Sequence, residues 1–428
     1  MLVEFTVTNF RSFSEPQTLS LVASRQRGHE AHGLLPSDDP KVVPDLLRGA
    51  AIYGPNASGK SNLIKALGNL RHLVLQSAKE SQAGEPVAVT PFHLRENSGT
   101  EPTELEVHFI QEGARYQYGV AATPECIEEE WLIAYPPHRR VQKGQTWFHR
   151  RYDPERKRMS WKFGEHFRGK RKLLTETTRD NALFLSTAAQ LNHRQLMPVF
   201  QWFQERLGPT IQPPGLHPGR TIERCEDSQE RERILDFLRQ ADPDIIDVQI
   251  ESRPFSSDAL PETMPKELKA KIGKDLEGSP MKRVWLTHES QGTGAQMQLP
   301  LGDESAGTQR LFSWAGPWLD VLDRGMILFV DELDNSMHPL LVRHLLHLIQ
   351  SPETNPHGAQ IVLTTHDTGL LGDRDLLRRD QVWFTEKGQD GATELRPLTD
   401  YRPRKEEALE AGYLRGRYGA VPMLDSTH

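Results

Sequence analysis

Residues 54–61 read GPNASGKS and stand between a short apolar run at 49–53 and an amphipathic stretch at 60–75. This pattern in this setting commits the chain to a strand, a phosphate loop and a helix. Its glycines let consecutive backbone N–H groups curl around an anion at the helix N-terminus. Gly54, Pro55, Asn56, Ala57, Ser58, Gly59, Lys60, Ser61 and Asn62 are therefore the candidate nucleotide-binding run. Lys60 is expected to reach the β- and γ-phosphates, and the Ser61 hydroxyl to ligate magnesium. A glycine-rich turn before an ordinary helix would require neither the full pattern nor both flanks.

A second apolar run, MILFVDELD at 326–334, delivers two carboxylates at its end. Asp331 is the expected magnesium carboxylate, acting through water, and Glu332 the expected general base that polarises an attacking water. A buried strand followed by Asp-Glu is common by itself. The phosphate loop upstream gives it meaning. Ser61 and Asp331 lie 270 positions apart, more than a small GTPase needs, so a segment is inserted between the two halves of the site.

Two further elements flank the acidic strand. In DESAGTQRLF at 303–312, Ser305 and Gly307 begin an expected helix over 309–322. A small, polar helix N-terminus suits an anion, although Ser-x-Gly also serves as an ordinary cap. Downstream, an apolar strand at 360–364 ends in Thr365 and His366, which places an imidazole where it could sense a γ-phosphate.

The rest of the chain fits around these motifs. A chain of 428 residues exceeds one ordinary core, so two lobes are expected. Alternating residues at 2–10 read as a strand, and those at 87–135 as an antiparallel meander. Residues 170–302 turn helical but are broken by Pro209, Pro213, Pro214, Pro218, Pro243, Pro254, Pro261 and Pro265. That density excludes long coiled-coil arms. The final third alternates strands and helices, as a parallel sheet does. The expected class is α/β, divided into residues 1–169, 170–302 and 303–428.

A hydrophobic content of 36% with 26% charged residues is a soluble globular balance. No apolar run approaches the roughly 18–20 residues of a membrane span, and no signal peptide is visible. Cys126 and Cys225 are too few and too distant for a disulfide framework or a zinc site. A cytoplasmic setting and no membrane partner are expected. The net charge of −7 argues against indiscriminate nucleic-acid binding. Residues 149–172, however, interleave arginines and lysines with Tyr152, Trp161, Phe163 and Phe167. They are either a nucleic-acid contact or a solvated hairpin whose aromatics face the core.

Taken together, NFRSF at 9–13, GPNASGKS, ESAGTQ at 304–309, DELDNSMHP at 331–339 and Thr365-His366 resemble the SMC, RecF and OLD-like branch of ABC ATPases. The resemblance implies an ABC-type P-loop head with an antiparallel β-subdomain and a compact, mainly helical insertion. It implies ATP and magnesium as ligands, Arg11 beside the nucleotide and Asp334 as the D-loop carboxylate. It makes His366 the switch histidine and Ser305 and Gly307 the signature. The implied assembly is a homodimer, or a higher even oligomer, closing on ATP.

The signature departs from the ABC form, since Ala306 rather than glycine precedes Gly307, and Gln76 and Gln82 are both candidates for the Q-loop glutamine. No Toprim nuclease is expected after His366, which 62 residues follow. The compact insertion and YLRGRYGAVP at 413–422 resemble the RloA and AbiLii group of bacterial ATPases, linked to phage defence. That implies an ATP-driven switch controlling a separate effector, a nuclease or another toxin. The alternative is a RecF-like ATPase that binds DNA in repair or maintenance.

Overall fold

A computed structural model describes residues 1–24, 32–37, 43–137, 143–211, 215–255, 264–276, 278, 280–290, 292–335, 337–373, 375–404 and 407–421. Residues 25–31 and 38–42 lie outside them, as do Pro213, Pro214, Pro261 and Pro422.

Strand β1 (Leu2–Thr8) alternates as its sequence does, with Phe5 and Val7 buried and Glu4, Thr6 and Thr8 half-exposed. It pairs antiparallel with β2 (Gln17–Ser20), and β3 (Leu34–Leu35) pairs with β4 (Leu46–Leu47). Strand β5 (Gly49–Tyr53) is buried throughout and leads to α1 (Lys60–Gln76). Leu63, Ile64, Leu67, Leu70, Leu73 and Val74 give α1 one apolar face, which packs into the core.

The meander comprises β6 (Thr103–Gln111), β7 (Ala114–Ala122), β8 (Ile127–Tyr135), β9 (Gln145–Asp153) and β10 (Arg158–Phe163). Glu112 and Gly113 join β6 to β7 with positive φ at both positions, as a tight hairpin requires. With β1 and β2 these strands form one antiparallel sheet in the order β10-β9-β8-β7-β6-β1-β2. Residues 87–102, expected within the meander, contain no strand.

Helices α2 (Arg171–Thr177), α3 (Phe184–Gln190) and α4 (Met197–Gln201) precede β11 (Leu207–Ile211). Next come α5 (Gly219–Arg224), α6 (Ser228–Arg239), β12 (Ile245–Pro254), α7 (Lys266–Leu276), β13 (Pro280–Glu289), β14 (Gln296–Pro300) and α8 (Ala306–Arg324). The chain closes with β15 (Ile327–Val330), α9 (Pro339–Gln350), β16 (Gln360–Thr364), α10 (Gly369–Gly372), β17 (Val382–Lys387), β18 (Thr393–Pro397) and α11 (Leu409–Leu414).

A second sheet runs β11-β15-β16-β5-β17-β18, parallel except for the last pair. Strand β16 stands between the phosphate-loop strand and the acidic strand. The carboxyl ends of β15, β16 and β5 therefore share one edge, where open α/β sheets place their ligands.

The chain forms two compact units: Met1–Pro213 with Val321–Asn335 and Val342–His428, and Pro214–Asp320 with Ser336–Leu341. The first contains both sheets just described, and α2 to α4 pack within it. The second carries a three-stranded antiparallel sheet, β12-β13-β14, besides the helices expected there. Within it α5 and α8 approach closely. The Thr221 hydroxyl donates to the Phe312 carbonyl at 2.7 Å and accepts from the Gly316 N–H at 2.9 Å, and a Cβ on Gly316 would lie 2.6 Å from the Thr221 nitrogen. Among the described residues no helix is long and apolar enough to cross a membrane.

Candidate functional site

The turn from β5 into α1 is built on backbone conformations that few side chains tolerate. Gly59, the N-cap of α1, has φ 106°, and a Cβ there would lie 2.1 Å from the Thr393 Oγ1 and 2.8 Å from the Ser12 Oγ. Ala57 is also left-handed, at φ 62°. Hydroxyls fasten the loop from three sides. Ser58 Oγ meets Thr385 Oγ1 at 2.7 Å, Thr393 Oγ1 donates to the Ser58 carbonyl at 2.8 Å, and Asn62 Nδ2 donates to Ser12 Oγ at 2.9 Å. The first turn of α1 carries no acidic residue, so its N-terminal field stays open to an anion.

Lys60 is buried at 6% exposure, and its ammonium donates to the Gly54 carbonyl at 2.7 Å and to that of Pro55 at 3.1 Å. Burial lowers its pKa, and the carboxylates of Glu332, Asp331 and Asp334 oppose the shift. The lysine expected from the motif is thus held against its own loop, within the field of the acidic strand.

At the end of β15 the two halves of the site meet. The Ser61 hydroxyl donates to Asp331 Oδ1 at 2.9 Å. The Thr364 hydroxyl, at the end of β16, donates to the same oxygen at 2.7 Å and accepts from the Glu332 N–H at 2.8 Å. Glu332 has φ 58°, a left-handed conformation that costs a non-glycine residue about 1–2 kcal/mol. Strain of this kind, observed at the residue read as the base, marks a position that its neighbours over-determine. The donor set of one hydroxyl and one carboxylate beside an anion-binding helix end fits a hard divalent cation such as magnesium.

Asp334 accepts the His366 N–H on both carboxylate oxygens, at 3.3 and 3.2 Å, so the expected D-loop and switch residues sit together. The His366 side chain is exposed. Arg11 is exposed too, at the tip of a tight turn with φ 52°. Its guanidinium lies 5.6 Å from the Phe10 ring centroid. The next residue, Ser12, docks that turn against Asn62 and Thr393.

Ser305 and Gly307 belong to the second unit. Ser305 Oγ accepts the Thr308 N–H at 3.1 Å and caps α8. A Cβ on Gly307 would meet Ser305 Oγ at an ordinary 3.6 Å, so its own helix does not demand glycine.

Two points left open by the sequence narrow. Gln76 is the last residue of α1, about 24 Å of helix from Lys60 at 1.5 Å per residue, and Gln82 lies beyond it. Neither is placed to serve the metal. In residues 149–172 Phe167 is buried, and Trp161 and Phe163 pack against Phe184, with ring centroids 5.1 and 5.8 Å away. Arg150 is buried against Glu130 at 2.9 Å. Phe167 serves the core and Trp161 and Phe163 pack against it part-buried, whereas Tyr152 is half-buried and Lys157, Arg158, Lys162, Lys170 and Lys172 remain exposed.

Ser12, Thr364, Thr385 and Thr393 are site residues that sequence reading missed. The available signal was a threonine on each of the strands flanking β5, at the edge where the phosphate loop emerges.

Fold and site together define a P-loop nucleotide-binding protein of the AAA type. A family described as "AAA domain, putative AbiEii toxin, Type IV TA system" matches residues 50–207 and 255–372, more than half of the chain, and the chain belongs to it. Among solved structures it is similar to the SMC head domain from Thermotoga maritima, at 13% identity and a TM-score of 0.41, over 92% of this chain and 98% of that one. It is also similar to the recombination mediator protein RecF with ATP, from the RecFOR pathway, at 14% identity and a TM-score of 0.31, over 92% and 99%. No curated protein matches it.

Proposed function

We propose that this chain is a magnesium-dependent ATP hydrolase that works as a molecular switch, dimerising around ATP and controlling a separate effector in bacterial antiphage defence. The observation that carries the reading is the 2.9 Å bond from Ser61 to Asp331, which joins the phosphate-loop helix to the acidic strand beside Glu332.

In this reading the loop N–H groups and Lys60 hold the phosphates, and Ser61 and Asp331 hold magnesium, Asp331 through water. Magnesium, when bound, neutralises charge developing on the transferred phosphoryl oxygens. Glu332 takes the proton of the attacking water, and His366 and Asp334 report the state of the γ-phosphate. Ser305 and Gly307 approach the phosphates of a second copy. The Gly307 position, where the chain's own packing does not call for glycine, suits such an approach.

The family description, with its AbiEii toxin and type IV toxin–antitoxin system, supports the defence setting. An ATP switch acts on a partner only through differential affinity for its open and closed states. The test is purification from the native host with ATP, using wild type and a stalled Glu332→Gln variant. A stoichiometric protein whose recovery depends on nucleotide state is expected. Full phage protection by this chain alone, with no such protein, would overturn the effector.

A further inference from the structure

We infer that Thr364 is a positioning residue for hydrolysis, setting the metal carboxylate and the general base with one hydroxyl. The inference rests on the roles proposed for Asp331 and Glu332.

The bond directions are forced. The Glu332 N–H can only donate, so the Thr364 oxygen accepts it and the single Thr364 hydroxyl proton points at Asp331 Oδ1. The hydroxyl oxygen then takes the Glu332 N–H, and the two bonds measure 2.7 and 2.8 Å. A third contact completes the arrangement, since the Thr364 carbonyl accepts the Leu333 N–H at 3.2 Å. Glu332, the left-handed residue, therefore has its own N–H and that of the following residue both fastened to Thr364. The same Asp331 oxygen receives the Ser61 hydroxyl, so the carboxylate is oriented from the phosphate-loop helix and from β16 at once.

The threonine is itself rigid. It is fully buried at the end of a strand buried at every position, it is β-branched, and Glu332, Leu333 and Asp331 surround its polar atoms. A buried N–H left without an acceptor is costly. Loss of this hydroxyl therefore frees the Glu332 backbone from the conformation that aims its side chain, and releases Asp331 on one side. Misplacing a reacting group by about 1 Å costs on the order of 100-fold in rate.

Substitution separates positioning from packing. Thr364→Val keeps the branched shape and removes the hydroxyl, whereas Thr364→Ser keeps the hydroxyl and removes a methyl. The expected result is a turnover number reduced roughly 10- to 100-fold in Thr364→Val, with a higher magnesium concentration needed for half-maximal rate. Magnesium-free ATP binding should be little changed, and Thr364→Ser should recover to within a few-fold of wild type. A packing role predicts the reverse order, with serine the worse variant.

Wild-type turnover that persists in Thr364→Val with unaltered magnesium dependence would overturn this inference alone. A wild-type chain that neither binds nor hydrolyses ATP would remove the functional reading, and this inference with it. Thermal unfolding of each variant establishes that the compared proteins are folded.

Discussion

Ser61 Oγ donates to Asp331 Oδ1 at 2.9 Å across 270 residues of sequence, so the first turn of α1 and the end of β15 form one hydrogen-bonded unit. That bond is possible because β16 separates β5 from β15 and because the phosphate loop turns α1 back over the sheet edge.

Two glycines should respond in opposite ways to alanine. Gly59→Ala forces a Cβ to 2.1 Å from Thr393 Oγ1 at φ 106°, and should cost about 1–3 kcal/mol as well as nucleotide binding. Gly307→Ala meets only ordinary contact with Ser305 and should stabilise α8 by up to about 1 kcal/mol. Its ATPase activity should nevertheless fall if the residue faces a partner's nucleotide. Thermal melts with parallel rate measurements check both, and a melting temperature lowered by Gly307→Ala would contradict the account of α8.

The Lys60 charge should make stability and binding diverge with pH. Burial lowers its pKa, with the carboxylates of Glu332, Asp331 and Asp334 opposing, so the unfolded chain holds this proton more tightly than the folded one. Below the folded value the charge costs stability. That cost fades as pH rises toward the ordinary lysine value of about 10.4. ATP affinity runs the other way, since of the two forms of Lys60 only the ammonium brings a positive charge to the phosphates. Comparing wild type with Lys60→Met in alkaline melts and ATP titrations isolates the group. Parallel loss of stability and affinity in the difference would refute the assignment.

Arg150 should prove structural. Its guanidinium is fully buried against Glu130, which also accepts the Phe184 and Leu185 N–H groups at 2.7 and 3.0 Å. Arg150→Met leaves an unpaired buried carboxylate and should cost about 3–5 kcal/mol. Exposed Lys157→Glu should stay within about 0.5 kcal/mol. Chemical denaturation distinguishes them, and an unchanged midpoint for Arg150→Met would contradict the pair's role.

Composite sites should show in mixtures. A Ser305→Arg chain keeps its own phosphate loop, and a Lys60→Ala chain keeps its own signature, so a mixed dimer retains one intact combination. ATPase activity should reappear on mixing two inactive preparations. Silence from a mixture that demonstrably associates would count against sharing of the site between copies.

The site was legible where its chemistry is contiguous. GPNASGKS and VDELD carry their meaning in adjacent residues, and the apolar strands feeding them are read from burial-driven patterning. Ser12, Thr385 and Thr393 were not legible, because each acts through a contact hundreds of residues away: Ser12 with Thr393, and Thr385 with Ser58. Gln76 looked suitable by type, but helix rise carries it to the wrong end of α1. For Trp161 and Phe163, composition alone does not say which way a strand's alternate residues face. The side is decided by Phe184, contributed from α3.

Phosphate release by purified wild type and Glu332→Gln decides whether Glu332 is the base of a magnesium-dependent ATPase. Wild type should turn over ATP in a magnesium-dependent way. Glu332→Gln should lose roughly 100-fold or more, with ATP still bound. Near-normal release from Glu332→Gln, or none from wild type at saturating ATP and magnesium, would contradict that role.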